Sequence, residues 1–350
     1  LLKSTADESP SQKPRFLITI DTEGDNLWSR PSVITTKNSE YLPRFQQLCE
    51  HYRLKPTWLV NYEMTKCPVF VEFARDVIQR QAGEIGMHLH AWNSPPIVPL
   101  TSDDYRFQPY LIDYPMQVIR DKVNALTDLL EDTFQTSITS HRAGRWALDS
   151  RYAEVLANCG YRVDCSVTPH VSWASMEGAP GCFGSNYIDF PDQPYRVDLD
   201  DIRSSGASWL IELPMTIHRT LQSGFAQVVK SNLARCPARL VKRVAARLLP
   251  DVHWLRPNGS NLKPMLHMLD NVVWQQDAYA QMMLHSSELM PGGSPRFRSV
   301  GQIERLYDHL NALFAGTKRF VGAGLSDFAA GWSLSTSPSR NMLRTEYRGS

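Results

Sequence analysis

The chain reads as an α/β protein built on a parallel sheet, open or closed. Three observations carry that reading. Short apolar runs alternate with longer amphipathic stretches along most of the 350 residues, the signature of repeated βα units. The longer stretches space their apolar residues at helical period. Chemically distinctive side chains gather just past the ends of several short runs, where parallel-sheet folds assemble their sites.

Taken in order, residues 16–20 predict a strand and 42–52 a helix, then 56–61 a strand, 69–81 a helix and 84–88 a strand. A helix over 116–131 leads to a strand over 136–141 that ends in His-Arg-Ala-Gly-Arg. The helix over 150–159 is closed by Gly160, a favoured C-terminal stop. Strands follow at 162–166, 210–213, 282–285 and 320–322. Residues 1–14 are polar and predict a disordered lead-in. A single domain is expected over 15–335, with a flexible tail over 336–350.

Two regions break the alternation. Residues 173–208 are rich in Gly, Pro, Asp and Ser and predict an irregular insertion with room for a hairpin. Residues 221–257 predict a basic helical insertion divided at Pro237, because Lys230, Arg235, Arg239, Lys242, Arg243 and Arg247 interleave with apolar residues. A basic amphipathic helix can lie on an anionic membrane surface, pack as a lid on the barrel, or cover an acidic glycan. The packed lid is the preferred reading.

A net charge of +1 argues against a general nucleic-acid binder. Hydrophobic residues at 42% and charged residues at 21% fit a soluble globular protein. No apolar run is long enough to predict a membrane-spanning helix. The six cysteines form no CxxC pair, which favours reduced thiols and a cytoplasmic location. Cys165 reads as a buried, inert thiol.

The candidate chemistry lies at the predicted strand ends. Residues two apart on a strand point the same way, so His88 and His90 can aim both rings at one ion, although a single such histidine is more often structural. Asp21, Glu23 and Asp25 follow the first strand, as solvated loop acids or as a metal ligand beside a general base. One carboxylate with two imidazoles forms the open three-ligand set of catalytic zinc. Arg142, before Gly144 and Arg145, reads as a surface ion pair or as the partner that keeps a site carboxylate ionised. Asp164 and His285 end two further strands, and a histidine held by a carboxylate can protonate a leaving group.

In this order the segments resemble the five motifs of the polysaccharide deacetylase (NodB-homology) family. The segments are Thr19-Ile20-Asp21-Thr22-Glu23, Glu84-Ile85-Gly86-Met87-His88, Arg142-Ala143-Gly144, Asp164-Cys165-Ser166-Val167-Thr168-Pro169 and Leu284-His285-Ser286. The resemblance spans about residues 15 to 325. Three departures are visible: Trp92 stands where the family places its second histidine, the acid pair is Asp-x-Glu, and the proline of the third motif is absent. They resemble a divergent branch associated with surface-polysaccharide and lipopolysaccharide gene clusters.

The resemblance implies a distorted (β/α) barrel and a metal-dependent carbohydrate N-deacetylase. It implies a divalent metal, Zn2+, on Glu23, His88 and His90, with Asp21 as general base oriented by Arg142. His285 becomes the proton donor, steadied by Asp164. The implied partner is a glycan or lipid-linked saccharide, met in the cytoplasm or at the inner face of the membrane through 221–257. The rival expectations are a metal-free carbohydrate-binding relic and a glycosidase using Asp21 and Glu23.

Overall fold

Both faces of the first strand are buried, and the two faces have different neighbours. In β1 (Arg15–Thr22), Phe16, Ile18 and Ile20 pack into the large core formed with the surrounding helices. Leu17 joins a second cluster, and Thr19 and Asp21 are buried polar residues of the same parity. A strand covered on both faces reads as a nearly continuous apolar run, which is why these segments stand out in the sequence. The computed structural model describes residues 13–220, 251–272 and 278–335.

Strands β2 (Pro56–Val60), β3 (Glu84–Leu89), β4 (Ser140–Ala143), β5 (Val163–Asp164), β6 (Tyr195–Arg196), β7 (Ile211–Glu212) and β10 (Tyr279–His285) join β1 in one sheet. Its order is β10-β1-β2-β3-β4-β5-β7-β6, with β11 (Val321–Ala323) also paired to β1. Every pair is parallel except β6 with β7. Helices Leu42–His51, Pro68–Gln79, Met116–Phe134 and Ser150–Asn158 connect the first five strands. Their buried positions recur at helical spacing, as in Leu42, Phe45, Gln46 and Cys49.

The sheet curls into a distorted (β/α) barrel. The gap between β7 and β10 is bridged without a ladder among the described residues: Gln281 N donates to Thr216 Oγ1 at 2.8 Å, Leu255 N to Thr216 O at 3.0 Å, and Met283 N to Leu255 O at 3.2 Å. Helix Leu325–Ser335 closes the end opposite the site. Its Leu325, Phe328 and Ala329 pack on Leu17, Leu59, Val163, Ile211 and Leu213. Glu84 accepts from Ser326 N at 3.0 Å, a carboxylate placed at the positive end of that helix.

Several expectations shift. The strand expected over 136–141 is Ser140–Ala143, because helix Met116–Phe134 runs three residues further than its apolar pattern suggested. In the insertion over 173–208, antiparallel bridges join Ser172 to Asn186 and Glu177 to Phe183. The basic insertion falls mostly on residues 221–250, outside the described residues. Its end is not helical: β9 (Asp251–Trp254) pairs antiparallel with β8 (Ile217–Thr220). The lead-in and tail likewise lie outside the described residues, apart from Lys13 and Pro14.

Helix Met116–Phe134 also carries a fully buried lysine. Lys122 Nζ donates to the carbonyls of Ser94 and Pro96, each at 2.7 Å, and so fixes the loop that follows β3. Burial pushes its ammonium from 10.5 down to about 8, with Asp104 offsetting part of the effect. The folded value lies below the unfolded one, so between these limits the unfolded chain holds the extra proton. Stability from this group therefore rises with pH across that window. Lys122→Met should cost about 2 kcal/mol at pH 8 by stranding two carbonyls. Urea unfolding should show the wild type pulling further ahead of the variant between pH 8 and 10; a gap that narrows would contradict the assignment.

Candidate metal and acid-base site

Six side chains converge where the parallel strands end. Asp21 closes β1, and Glu23 follows it. Asn38 Nδ2 donates to Glu23 O at 2.9 Å, Glu23 N donates to Ser286 Oγ at 3.1 Å, and the same hydroxyl donates back to Glu23 O at 3.1 Å. Asp25, the third acid, accepts from Thr35 Oγ1, Lys37 N, Asn38 N and Asn38 Nδ2. It organises the loop and does not line the cavity that the other two acids share.

His88 lies on β3 and His90 just beyond it, both directed to the barrel interior as the two-residue spacing requires. His88 Nδ1 donates to Arg142 O at 3.0 Å, which leaves the Nε2 lone pair free. His90 stacks on Trp92 with ring centroids 4.2 Å apart. Its Nδ1 has no hydrogen-bond partner among the described residues. Gly144 leaves room for the ring: a Cβ there would lie 2.3 Å from His90 Cδ2 and 2.4 Å from Leu89 O.

The donor set fits a divalent cation. His88 Nε2 and His90 Nε2 lie 3.6 and 3.4 Å from Glu23 Oε2, and the three ligand atoms all fall within 4.8 Å of one another. These gaps are long for hydrogen bonds but match the roughly 3.4 Å ligand–ligand edge of a tetrahedral site with bonds of about 2.1 Å. Burial, with His88, Arg145 and His285 adding to it, holds His90 well below the ordinary imidazole range, so its lone pair is free. For His88 burial acts downward, but Asp21 and Glu23 outweigh it and raise the ring. The two carboxylates thus draw positive charge to this point.

Arg142 is fully buried and reaches across the barrel. Its NH1 donates to Asp21 Oδ1 at 2.6 Å, its NH2 to Thr19 Oγ1 at 2.7 Å and its Nε to Cys165 O at 3.2 Å. Burial alone would raise Asp21, but Arg142, His88 and His285 overcome it and hold the carboxyl at about 2. Asp21 is therefore ionised at neutral pH, with Oδ2 turned toward His285 Nε2 at 3.7 Å.

The expected pairing of Asp164 with His285 is corrected. The register pairs Asp164 with His141 rather than with Arg142, so Asp164 takes the outward parity. Its Oδ1 accepts from His141 Nδ1 at 2.5 Å, and His141 Nε2 lies 2.6 Å from Tyr152 Oη on helix Ser150–Asn158. Glu288 holds His285 instead. Its Oε2 accepts from His285 N at 3.0 Å and lies 3.3 Å from Nδ1. Burial would raise Glu288, but Arg256 and His285 outweigh it and hold it well below the usual carboxylate range. Glu288 follows His285 by three residues, a spacing visible in the sequence once the tight turn Ser286–Leu289 is known.

Asp21, Glu23, His88, His90 and His285 line one cavity of about 330 Å³, walled by Trp28, Trp92, Tyr110, Trp146 and Trp173. No protein-family model matches the chain, and no curated protein matches its sequence. Solved structures do match. A glycoside hydrolase/deacetylase, provisionally so named, from Parabacteroides distasonis superposes with TM-score 0.59 at 9% identity, covering 93% of this chain and 73% of that one. A provisionally named polysaccharide deacetylase from Mycobacterium smegmatis gives 0.50 at 15% identity, covering 98% and 97%. A 4-alpha-glucanotransferase from Thermococcus litoralis gives 0.51 at 10%, covering 94% of this chain but 41% of that one. The chain has the polysaccharide deacetylase fold. Because a glucanotransferase matches as well, the activity must be read from the side chains.

Competition with a chelator for zinc checks the ligand set. His88→Ala and His90→Ala should each abolish stoichiometric binding, and Gly144→Ala should weaken it about 10- to 100-fold by displacing His90. Undiminished affinity in His90→Ala would remove it as a ligand.

Proposed function

We propose that this protein is a metal-dependent carbohydrate N-deacetylase. It would hydrolyse an N-acyl group, in the first instance acetyl, from an amino sugar of a surface glycan or its lipid-linked precursor. One observation carries the reading: a Glu-His-His donor set shares a cavity with an arginine-bound aspartate and with a histidine held by a carboxylate. These are the parts that amide hydrolysis needs: both imidazoles lie within 4 Å of Glu23, and His285 lies within 4 Å of both Asp21 and Glu23.

Glu23, His88 and His90 would hold a divalent cation, which when bound would supply a Lewis acid for the acyl carbonyl and make water more acidic. The rest falls to the chain. Arg142 occupies Asp21 Oδ1 and leaves Oδ2 to accept the proton of the attacking water. His285 Nε2 faces that oxygen and delivers a proton to the departing nitrogen. Glu288 Oε2 accepts from His285 N and lies 3.3 Å from Nδ1, and Arg256 Nη2 lies 3.0 Å from the same nitrogen, so the two together hold the ring with Nε2 toward Asp21. The aromatic walls offer flat apolar faces to a pyranose ring.

The glycosidase reading finds less support. Asp21 and Glu23 are the only carboxylates lining the cavity among the described residues. They sit two residues apart at one strand end, whereas glycosidic cleavage needs carboxyls on opposite sides of the bond. No described helix is long and apolar enough to cross a membrane.

Acetate release from N-acetylated oligosaccharides and lipid-linked precursors tests the proposal. Asp21→Asn should abolish turnover, and Glu288→Gln should lower kcat about 10²-fold. Asp164→Asn should instead cost about 3 kcal/mol of stability while the folded fraction keeps its kcat. A zinc-free parent chain that binds the same sugars without hydrolysing them would be a carbohydrate-binding relic, and the proposal would fall.

A further inference from the structure

The cavity carries more positive charge than the chemistry uses. Arg142 is spent on Asp21 and Arg256 on Glu288. Arg30 and Arg145 also line the cavity, and among the described residues neither has a carboxylate within ion-pair distance. Arg145 follows Gly144 in the tight turn Gly144–Trp146 with φ 56°. Its NH1 donates to Gln108 O and its NH2 to Glu177 O at 3.0 Å, and its guanidinium lies 4.1 Å from the centre of the Tyr110 ring. Every hydrogen-bond acceptor it meets is a neutral carbonyl. Of the five N–H donors of a guanidinium, these bonds take two.

Arg30 closes the turn that carries Trp28, which packs against His285 with centroids 4.8 Å apart. It is exposed on the same cavity and close enough to add to the electrostatic load on Arg145. Burial weighs most against the charge on Arg145, and Tyr110 and Asp113 offset only part of it. Two like charges on one cavity wall repel unless an anion lies between or beside them. The acids of the cavity cannot serve: Asp21 is held by Arg142, and Glu23 faces the two imidazoles. Guanidinium groups pair with carboxylate or phosphate through parallel N–H donors.

We propose that Arg145 and Arg30 form an anion subsite, so that the substrate is an N-acylated saccharide bearing a phosphate or carboxylate close to the sugar that is deacylated. This rests on the deacetylase reading for the identity of the sugar, while the anion preference rests on the two arginines.

The two can be separated by measuring binding and turnover independently. Calorimetry on the metal-stripped full chain would compare N-acetylglucosamine with its 1-phosphate, and N,N′-diacetylchitobiose with a disaccharide of N-acetylglucosamine and glucuronic acid. At least one anionic probe should bind about tenfold tighter than its neutral partner, and the pair that shows it tells phosphate from carboxylate. Arg30→Gln and Arg145→Gln should each bring that probe toward the neutral affinity. Arg145→Lys, which keeps the charge while Arg145→Gln risks the turn, should retain part of the preference. Equal binding of neutral and anionic probes, or a preference indifferent to both Gln variants, overturns the subsite. Equal binding with acetate release leaves the deacetylase reading standing. Arginine-dependent binding without acetate release from any probe, once metal is restored, leaves the subsite standing and removes that reading. Binding of no probe overturns both.

Discussion

The buried ion pair between Arg142 and Asp21 is the constraint on which the site depends. A guanidinium removed from water costs several kcal/mol unless its donors are met, and here Asp21, Thr19 and the carbonyl of Cys165 meet them. The bond runs from β4 to β1 across the interior, past two intervening strands, and so holds opposite walls of the barrel in register. The same residue acts twice. Its side chain settles which oxygen of Asp21 stays free, and its carbonyl accepts from His88 Nδ1, which settles the lone pair that His88 offers a cation. The proposed general base and a proposed metal ligand are thereby oriented by one arginine, from its side chain and its main chain.

Strand parity decides most of the remaining roles, and it also explains what the sequence could disclose. Strands buried on both faces yield long apolar runs, so β1, β2, β3 and β10 were legible from pattern, together with Asp21, Glu23, His88 and His285 at or just past their ends. The direction of Asp164 was not. Its neighbour relation to His141 is a property of sheet register, and a sequence shows an acid at a strand end without showing which face it takes. Glu288 escaped notice for a related reason. It belongs to a tight turn after β10, and turn residues give no periodic signal. The hairpin of β8 and β9 was hidden because each strand is only four residues long, and β9 lies at the end of a basic stretch with helical spacing.

Helix Leu325–Ser335 shows a further limit. It closes the barrel by placing Leu325 and Phe328 on residues from β1, β2, β5 and β7. Such a plug is dictated by the shape of the open end, which exists only after the strands have assembled. Glu84, the first residue of the histidine motif, serves that closure by bonding Ser326. The motif therefore joins a structural end to a chemical end: Glu84 fixes the bottom of β3 and His88 with His90 occupy the top.

His90 is where the site is least conventionally supported. An imidazole ligand is usually oriented by a hydrogen bond from its second nitrogen, and His88 has one while His90 has none among the described residues. Stacking on Trp92 takes over that task, in space that Gly144 leaves open. In the proposed ligand set Trp92 would let a His-x-His step serve in place of wider spacing: an extended chain turns both rings inward, and the indole face supplies a flat support for His90. A side chain at position 144 would meet His90 Cδ2 and displace the ring from this stack. The absence of a side chain at Gly144 is therefore as much part of the proposed ligand set as the imidazole it admits.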